Sequence, residues 1–177
     1  THVGIDVGED GRTHQCIDYI SNFRSLFGFK VIVPADPNET DRAIRYVANQ
    51  PGNFLVAMGR SKLKPIAAED GKPLFAGGYR FEYGKATWVR EGRDACIIAM
   101  GTMVPRAMAA REILKSRGVD AAVLNMSSPT APDSAALRKA AALFSGDPAA
   151  AEAVLARQSF HIRKSKVLSE KLVEGSL

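Results

Sequence analysis

The sequence predicts an α/β fold built on parallel sheets with helices on both faces, a three-layer arrangement. Two stretches carry that expectation. In the first, an apolar run rich in β-branched residues (29–33), a helical segment opening at Asp36 and a second apolar run (54–58) follow one another. In the second, a run at 95–100, a helix ending near Arg117 and a run at 119–125 repeat the order. Apolar runs without alternation suit strands buried on both faces. Strand, helix and strand in succession make a parallel βαβ unit.

Composition bounds what such a fold can do. The chain has 177 residues, 46% of them hydrophobic, enough for a core in one domain or two small ones. No apolar run is long enough to span a membrane, and no charged-then-apolar leader is present, which predicts a cytoplasmic protein without a membrane role. Cys16 and Cys96 have no metal-ligand spacing and read as reduced thiols. The formal net charge of +5 comes from lysines and arginines scattered through most of the chain. A nucleic-acid surface would need a basic stripe with interleaved aromatics, and only residues 157–171 approach one. The surplus is better suited to phosphorylated metabolites or a partner polypeptide.

The chain opens on its most unusual stretch, Thr1-His2-Val3-Gly4-Ile5-Asp6-Val7-Gly8-Glu9-Asp10-Gly11-Arg12-Thr13-His14-Gln15, which holds two of the three histidines. Gly8 and Gly11 allow positive φ, so the loop can turn tightly and converge its polar side chains. Ile17, Ile20, Phe23, Leu26 and Phe27 then recur at helical spacing, which predicts a helix with His14 in its first turn. Unpaired N–H groups there would favour an anion. Taken alone, Asp10-Gly11 is also an ordinary turn dipeptide.

Downstream, Asp36 is placed as an N-cap, Pro37 as the first helical residue and Glu39 as the return half of a capping box. Ala43, Ile44, Val47 and Ala48 are the expected buried face, and Pro51-Gly52 ends the helix. Arg60 follows the carboxyl end of the second strand, where ligands of parallel sheets bind. Its guanidinium can hold a phosphate with two parallel hydrogen bonds, although an isolated arginine there would pass as a surface residue. Residues 62–78 carry lysines, prolines and glycines with little periodicity and read as a linker between a first domain (1–61) and a second (79–144). Residues 79–90 alternate as a strand or hairpin arm with a turn at Glu91-Gly92. Gly101-Thr102-Met103 has neither the three-glycine fingerprint nor a Walker lysine and reads as a tightly packed turn into a helix, with Gly118 at C′. Asp133 or Ser134 caps the next helix. From 145 onward a basic, Ala-rich tail is expected to be helical, with His161 exposed on a charged face.

The string Thr1-His2, Gly8-Glu9-Asp10-Gly11 and Thr13-His14-Gln15 resembles the transketolase family. The likeness continues through Val31-Ile32-Val33-Pro34-Ala35-Asp36-Pro37-Asn38-Glu39-Thr40, Phe54-Leu55-Val56-Ala57-Met58-Gly59-Arg60, Phe81-Glu82-Tyr83-Gly84-Lys85-Ala86 and Ala99-Met100-Gly101-Thr102-Met103-Val104, and fades after about residue 141. The resemblance implies the C-terminal half of a pyrimidine-binding domain followed by part of a transketolase C-terminal domain, as in an enzyme split between two polypeptides. Family members move a two-carbon ketol unit between sugar phosphates with thiamine diphosphate and Mg2+. By motif position, His2 and Arg60 resemble the residues that bind the sugar phosphate, and Asp10 the carboxylate bonded to the hydroxyl beside the carbonyl. His14 resembles the histidine over the reacting carbon, a task that suits imidazole because its ordinary pKa is near neutrality. Arg12 stands where many relatives have Pro.

The family's activating glutamate and ring-stacking aromatics are expected upstream of Thr1, and the diphosphate and magnesium on another domain. No cofactor or metal ligand is therefore assigned within this chain. It is expected to be inactive alone and to work with an N-terminal partner in a dimer or heterotetramer. The alternatives are a truncated, non-catalytic interaction module, a 1-deoxyxylulose-5-phosphate synthase, or a 2-oxo acid dehydrogenase β-subunit. The loop string together with His2 favours transketolase.

Overall fold

The computed structural model describes residues 2–145. The chain divides into two compact units, Thr1–Asp133 and Ser134–Leu177. In the second, only helix α4 (Ser134–Ser145) is described. The expected helices of the tail, its basic segment and His161 lie outside the described residues. Within them, no helix is long and apolar enough to cross a membrane.

The first unit contains two sheets. Strands β1 (Phe29–Ile32) and β2 (Asn53–Val56) pair in parallel, from Phe29 opposite Asn53 to Ile32 opposite Val56. Helix α2 (Pro37–Ala48) makes the crossover between them. The second sheet has the order β3-β5-β4, formed by Thr87–Arg90, Ala121–Asn125 and Ala95–Ala99. Helix α3 (Met103–Ser116) connects β4 to β5, which run parallel. The α/β class and both βαβ units are as expected.

Strand β3 corrects the expected hairpin. It pairs antiparallel with β5 rather than with β4, which follows it in sequence, and only residues 87–90 of the alternating stretch are strand. The loop at Glu91-Gly92 therefore crosses over β5 instead of closing a two-strand turn. An ideal Cβ on Gly92 would run into the backbone of Ala121 and Ala122, so the loop passes directly against the strand it crosses.

Three further expectations are corrected. Helix α1 spans only Tyr19–Arg24. Its predicted first turn is extended because Cys16 bridges Val3: Gly4 N–H donates to the Cys16 carbonyl (2.7 Å) and Cys16 N–H to that of His2 (3.4 Å). Ile17, Leu26 and Phe27 are consequently exposed rather than packed. In α2, Ala43 is buried and Tyr46 and Val47 half-buried, whereas Ile44 and Ala48 face out. In β4 only Cys96 is buried, and Ile98 is exposed.

The segment between the sheets contains no helix or strand, yet it supplies core. Phe75 is fully buried and Ile66 nearly so, in a cluster with Val89, Val104, Ala107 and Val123. Gly101 adopts φ 56°, and an ideal Cβ on it would lie 2.8 Å from Val33 Cγ1. That approach brings β4 and α3 against the end of β1, as the sequence reading of a tightly packed turn required.

A buried polar joint ties the sheets together. The Asp36 carboxylate caps α2 by accepting from Glu39 N–H (2.8 Å) and also accepts from Ile66 N–H (2.7 Å). Glu39 closes the cap one residue further back than the standard box, accepting from Ala35 N–H (2.6 Å) rather than from Asp36. Its two oxygens accept from Asn125 Nδ2 at the end of β5 (2.9 Å each). Ser127 O accepts from Val33 N–H (2.8 Å), and Val33 O from Gly101 N–H (3.2 Å).

Candidate active site

The loop residues gather beyond the carboxyl ends of β1 and β2, where a parallel sheet leaves a crevice. Ile5–Thr13 winds as short 3-10 turns broken at Gly8 (φ 69°) and Gly11 (φ 68°). At both points the backbone requires the left-handed region, which only glycine enters cheaply. The bends return the loop on itself, and Gln15 Nε2 donates to the Gly8 carbonyl (3.3 Å).

All four predicted site residues come together. The His2 and His14 rings meet edge to face, with centroids 5.6 Å apart. Arg60 is ion-paired through Nη1 with Asp10, and Glu9 lies further out at 3.8 Å from Nη2. The Asp10 carboxyl is held below the usual carboxylate range, first by the Arg60 hydrogen bond and more weakly by the charges of Arg60, His14 and His2. His2 is the one described non-glycine residue with positive φ (62°), a conformation uncommon for a large side chain and frequent at functional positions.

His14 differs from expectation in one respect. It caps the end of the 3-10 segment, where its N–H donates to the Gly11 carbonyl (3.1 Å). Helix α1 begins only at Tyr19, so no helix N-terminus reinforces it. Its Nδ1 instead meets the Thr13 hydroxyl (2.9 Å), and that hydroxyl also lies 3.4 Å from the Asp10 carbonyl. The tautomer decides which atom donates in the Thr13 contact; in either case Thr13 engages Nδ1, and Nε2 is the ring nitrogen left for an incoming group.

Sequence reasoning missed Asp6, Gly59 and Ser61. Asp6 accepts from Ser61 N–H (3.2 Å) and, through its other oxygen, from the Ser61 hydroxyl. An ideal Cβ on Gly59 would lie 2.5 Å from Asp6 Oδ2. These residues line a cavity of about 700 Å³ that also touches Tyr19, Met100 and Arg106. Asp6 and Ser61 are 55 positions apart, and no local pattern signals a pairing of that range.

Two family models match the chain: the transketolase pyrimidine-binding domain over residues 1–65 and the transketolase C-terminal domain over 84–143. Between them they take in the loop, Arg60 and both sheets. The chain belongs to the transketolase family. Among similar curated proteins is a putative transketolase C-terminal section of Methanocaldococcus jannaschii, 35% identical over 139 residues, covering 78% of this chain and 42% of that protein. One of the subunits of an apulose-4-phosphate transketolase of Phocaeicola vulgatus is 31% identical over 138 residues, with the same shares, 78% and 42%. Among solved structures, a split-gene transketolase in an inactive β4 tetramer superposes with a TM-score of 0.67 at 30% identity, covering 81% of this chain and 43% of the other. The chain thus spans about two fifths of the length of these relatives.

Proposed function

We propose that this chain forms the substrate side of a transketolase active site, moving a two-carbon ketol unit between sugar phosphates together with an N-terminal partner polypeptide. The observation that carries this reading is the convergence of His2, His14, Asp10 and Arg60 at one sheet edge. Two imidazoles, a carboxylate and a guanidinium grouped in this way can grip a phosphate, bond a hydroxyl and move a proton. The names of the relatives, one a C-terminal section and the other a single subunit of a sugar-phosphate transketolase, agree with a divided enzyme.

In this reading Arg60 and His2 take the phosphate end. Asp10 accepts from the hydroxyl next to the carbonyl. His14 Nε2 accepts or returns the proton of the hydroxyl whose C–C bond is made or broken. The Thr13 contact fixes the ring so that Nε2 faces outward.

Family membership implies thiamine diphosphate, with magnesium on its diphosphate. Among the described residues no group of three or more His, Cys, Asp or Glu could hold a metal ion. Magnesium on a diphosphate takes most of its ligands from phosphate and water, and in this reading the diphosphate and its metal are held by the partner polypeptide.

The test is to purify the chain with and without an N-terminal transketolase section, add thiamine diphosphate and magnesium, and follow transfer from a ketose phosphate to an aldose phosphate. Transfer that needs both polypeptides is expected. A reconstituted pair that binds cofactor yet transfers nothing would overturn the reading.

A further inference from the structure

We propose that Asp6 is a positioning residue that sets Arg60, and through it the phosphate end of the substrate. The proposal rests on Arg60 being the phosphate ligand.

Arg60 sits in an exposed turn beyond β2, outside any helix or strand. A long side chain on such a turn would sample many positions, and each would weaken a two-bond grip on phosphate. Asp6 holds the turn on both sides of the arginine. After it, one carboxylate oxygen takes Ser61 N–H (3.2 Å) and the other takes the Ser61 hydroxyl. Before it, Asp6 Oδ2 fills the space where a side chain on Gly59 would begin, 2.5 Å from the ideal Cβ position, and Thr102 Cγ2 closes the other flank at 3.1 Å.

Gly59 is not in the left-handed region, so a glycine is needed here for room rather than for φ. The Gly59-Arg60-Ser61 turn and Asp6 therefore fit as lock and key. Arg60 is then held twice, its backbone by Asp6 and its head by Asp10. An incoming phosphate replaces only the second hold. The first remains, and the guanidinium is aimed before the ligand arrives, which lowers the ordering cost of binding.

Two readouts separate this from a general structural role. In the full chain, Asp6→Ala should speed exchange of the Ser61 amide by roughly tenfold or more, the scale of a lost charge-assisted hydrogen bond. Resonances of β1 and α2 should stay in place. Asp6→Asn keeps a carbonyl acceptor and should fall between the two. With the partner supplied, Asp6→Ala should raise KM for a phosphorylated acceptor by roughly tenfold, as small misplacements of a binding group do. The kcat, and turnover of an unphosphorylated sugar, should change little.

In an Arg60→Ala background, Asp6→Ala should add no further loss on the phosphorylated acceptor. Unchanged Ser61 exchange, a loss that persists without Arg60, or equal losses on both sugars would overturn the proposal. If the reconstituted wild type transfers no ketol unit, the functional reading falls, while the exchange measurement still decides whether Asp6 sets the turn.

Discussion

The Arg60 guanidinium is ion-paired with the Asp10 carboxylate, so the groups assigned to opposite ends of the substrate hold each other before it binds. In the proposed reading a phosphate takes Arg60 from Asp10, and a hydroxyl then takes its place on Asp10. The pair keeps both charges satisfied in the meantime.

Asp10 should therefore titrate below its ordinary value of 3.8, chiefly because of the Arg60 hydrogen bond. In Arg60→Ala its pKa should return towards that value. The sign follows from linkage: a depressed carboxylate pKa contributes stability above the unfolded pKa, which is lost as pH falls through the folded one. The pair is partly exposed, and the effect on stability should be small and sensitive to salt. Carboxyl-carbon NMR titration of both forms measures it directly, and an unchanged Asp10 titration in the variant would exclude the pairing in solution.

Glu39 behaves in the opposite sense. It is fully buried, and burial pushes its carboxyl pKa up, against the pull of hydrogen bonds from Ala35 N–H, Ser127 and Asn125 and with the help of nearby Asp36. The Tyr79 hydroxyl is in turn pushed up by its own burial and by Glu39. A folded state that holds this proton more tightly than the unfolded chain loses stability as pH rises from the unfolded towards the folded pKa.

Asn125 Oδ1, buried without a partner, fits the same picture, since a turned amide could accept from a protonated Glu39. Glu39→Gln offers that donor without a charge and should leave stability at neutral pH unchanged or raised. Glu39→Ala should lower it by about 1–3 kcal/mol for each buried donor left unpaired. Denaturant unfolding across pH separates the two; equal losses in both would show that the charge, not the hydrogen-bonding pattern, holds the joint.

Phe75→Ala tests whether the segment between the sheets is a passive connector. The side chain is fully buried against Ile66, Val89, Val104 and Val123 and meets Tyr79 edge to face at 4.9 Å. Its removal should cost about 3–5 kcal/mol, the usual range for a core phenylalanine. A change within experimental error in chemical unfolding would favour the linker reading.

The outcome for that segment illustrates what the sequence can and cannot carry. The βαβ units, the positive φ at Gly8 and Gly11, the Asp36-Pro37 helix start and the Gly118 C′ position are local, and each is readable from residues a few places apart. Long-range relations are not. The alternation in 79–90 marks a strand but not its partner, so β3 reads as a hairpin arm although it joins β5 instead. Ile17 and Phe27 recur at helical spacing, but the helix forms only over Tyr19–Arg24, because the bridge between Cys16 and the distant Val3 holds the chain before it. The four candidate site residues are legible because the family string names them. Asp6, equally close to the site, is not, because its role depends on Ser61 and Gly59 arriving from the end of another strand.

The final prediction separates the roles of Arg60 and His14 with the partner polypeptide supplied. In the proposed reading Arg60 grips a phosphate far from the reacting carbonyl, a contact similar in ground and transition states. Arg60→Ala should raise KM for the phosphorylated substrate and change kcat less. In the same reading the His14 contact strengthens as charge develops on the reacting oxygen. His14→Ala should lower kcat by roughly 10²-fold or more, the scale of a general acid or base, with KM less affected. An unphosphorylated sugar supplies the control: Arg60→Ala should barely alter its turnover, whereas His14→Ala should still suppress it. Thr13→Val removes the hydroxyl that fixes the imidazole and keeps the β-branched shape. It should lower kcat on both sugars by less than His14→Ala, because the ring then samples orientations in which Nε2 is misdirected. If Arg60→Ala and His14→Ala instead lose activity in equal proportion on both sugars, the phosphate and proton-transfer roles are not divided between these residues.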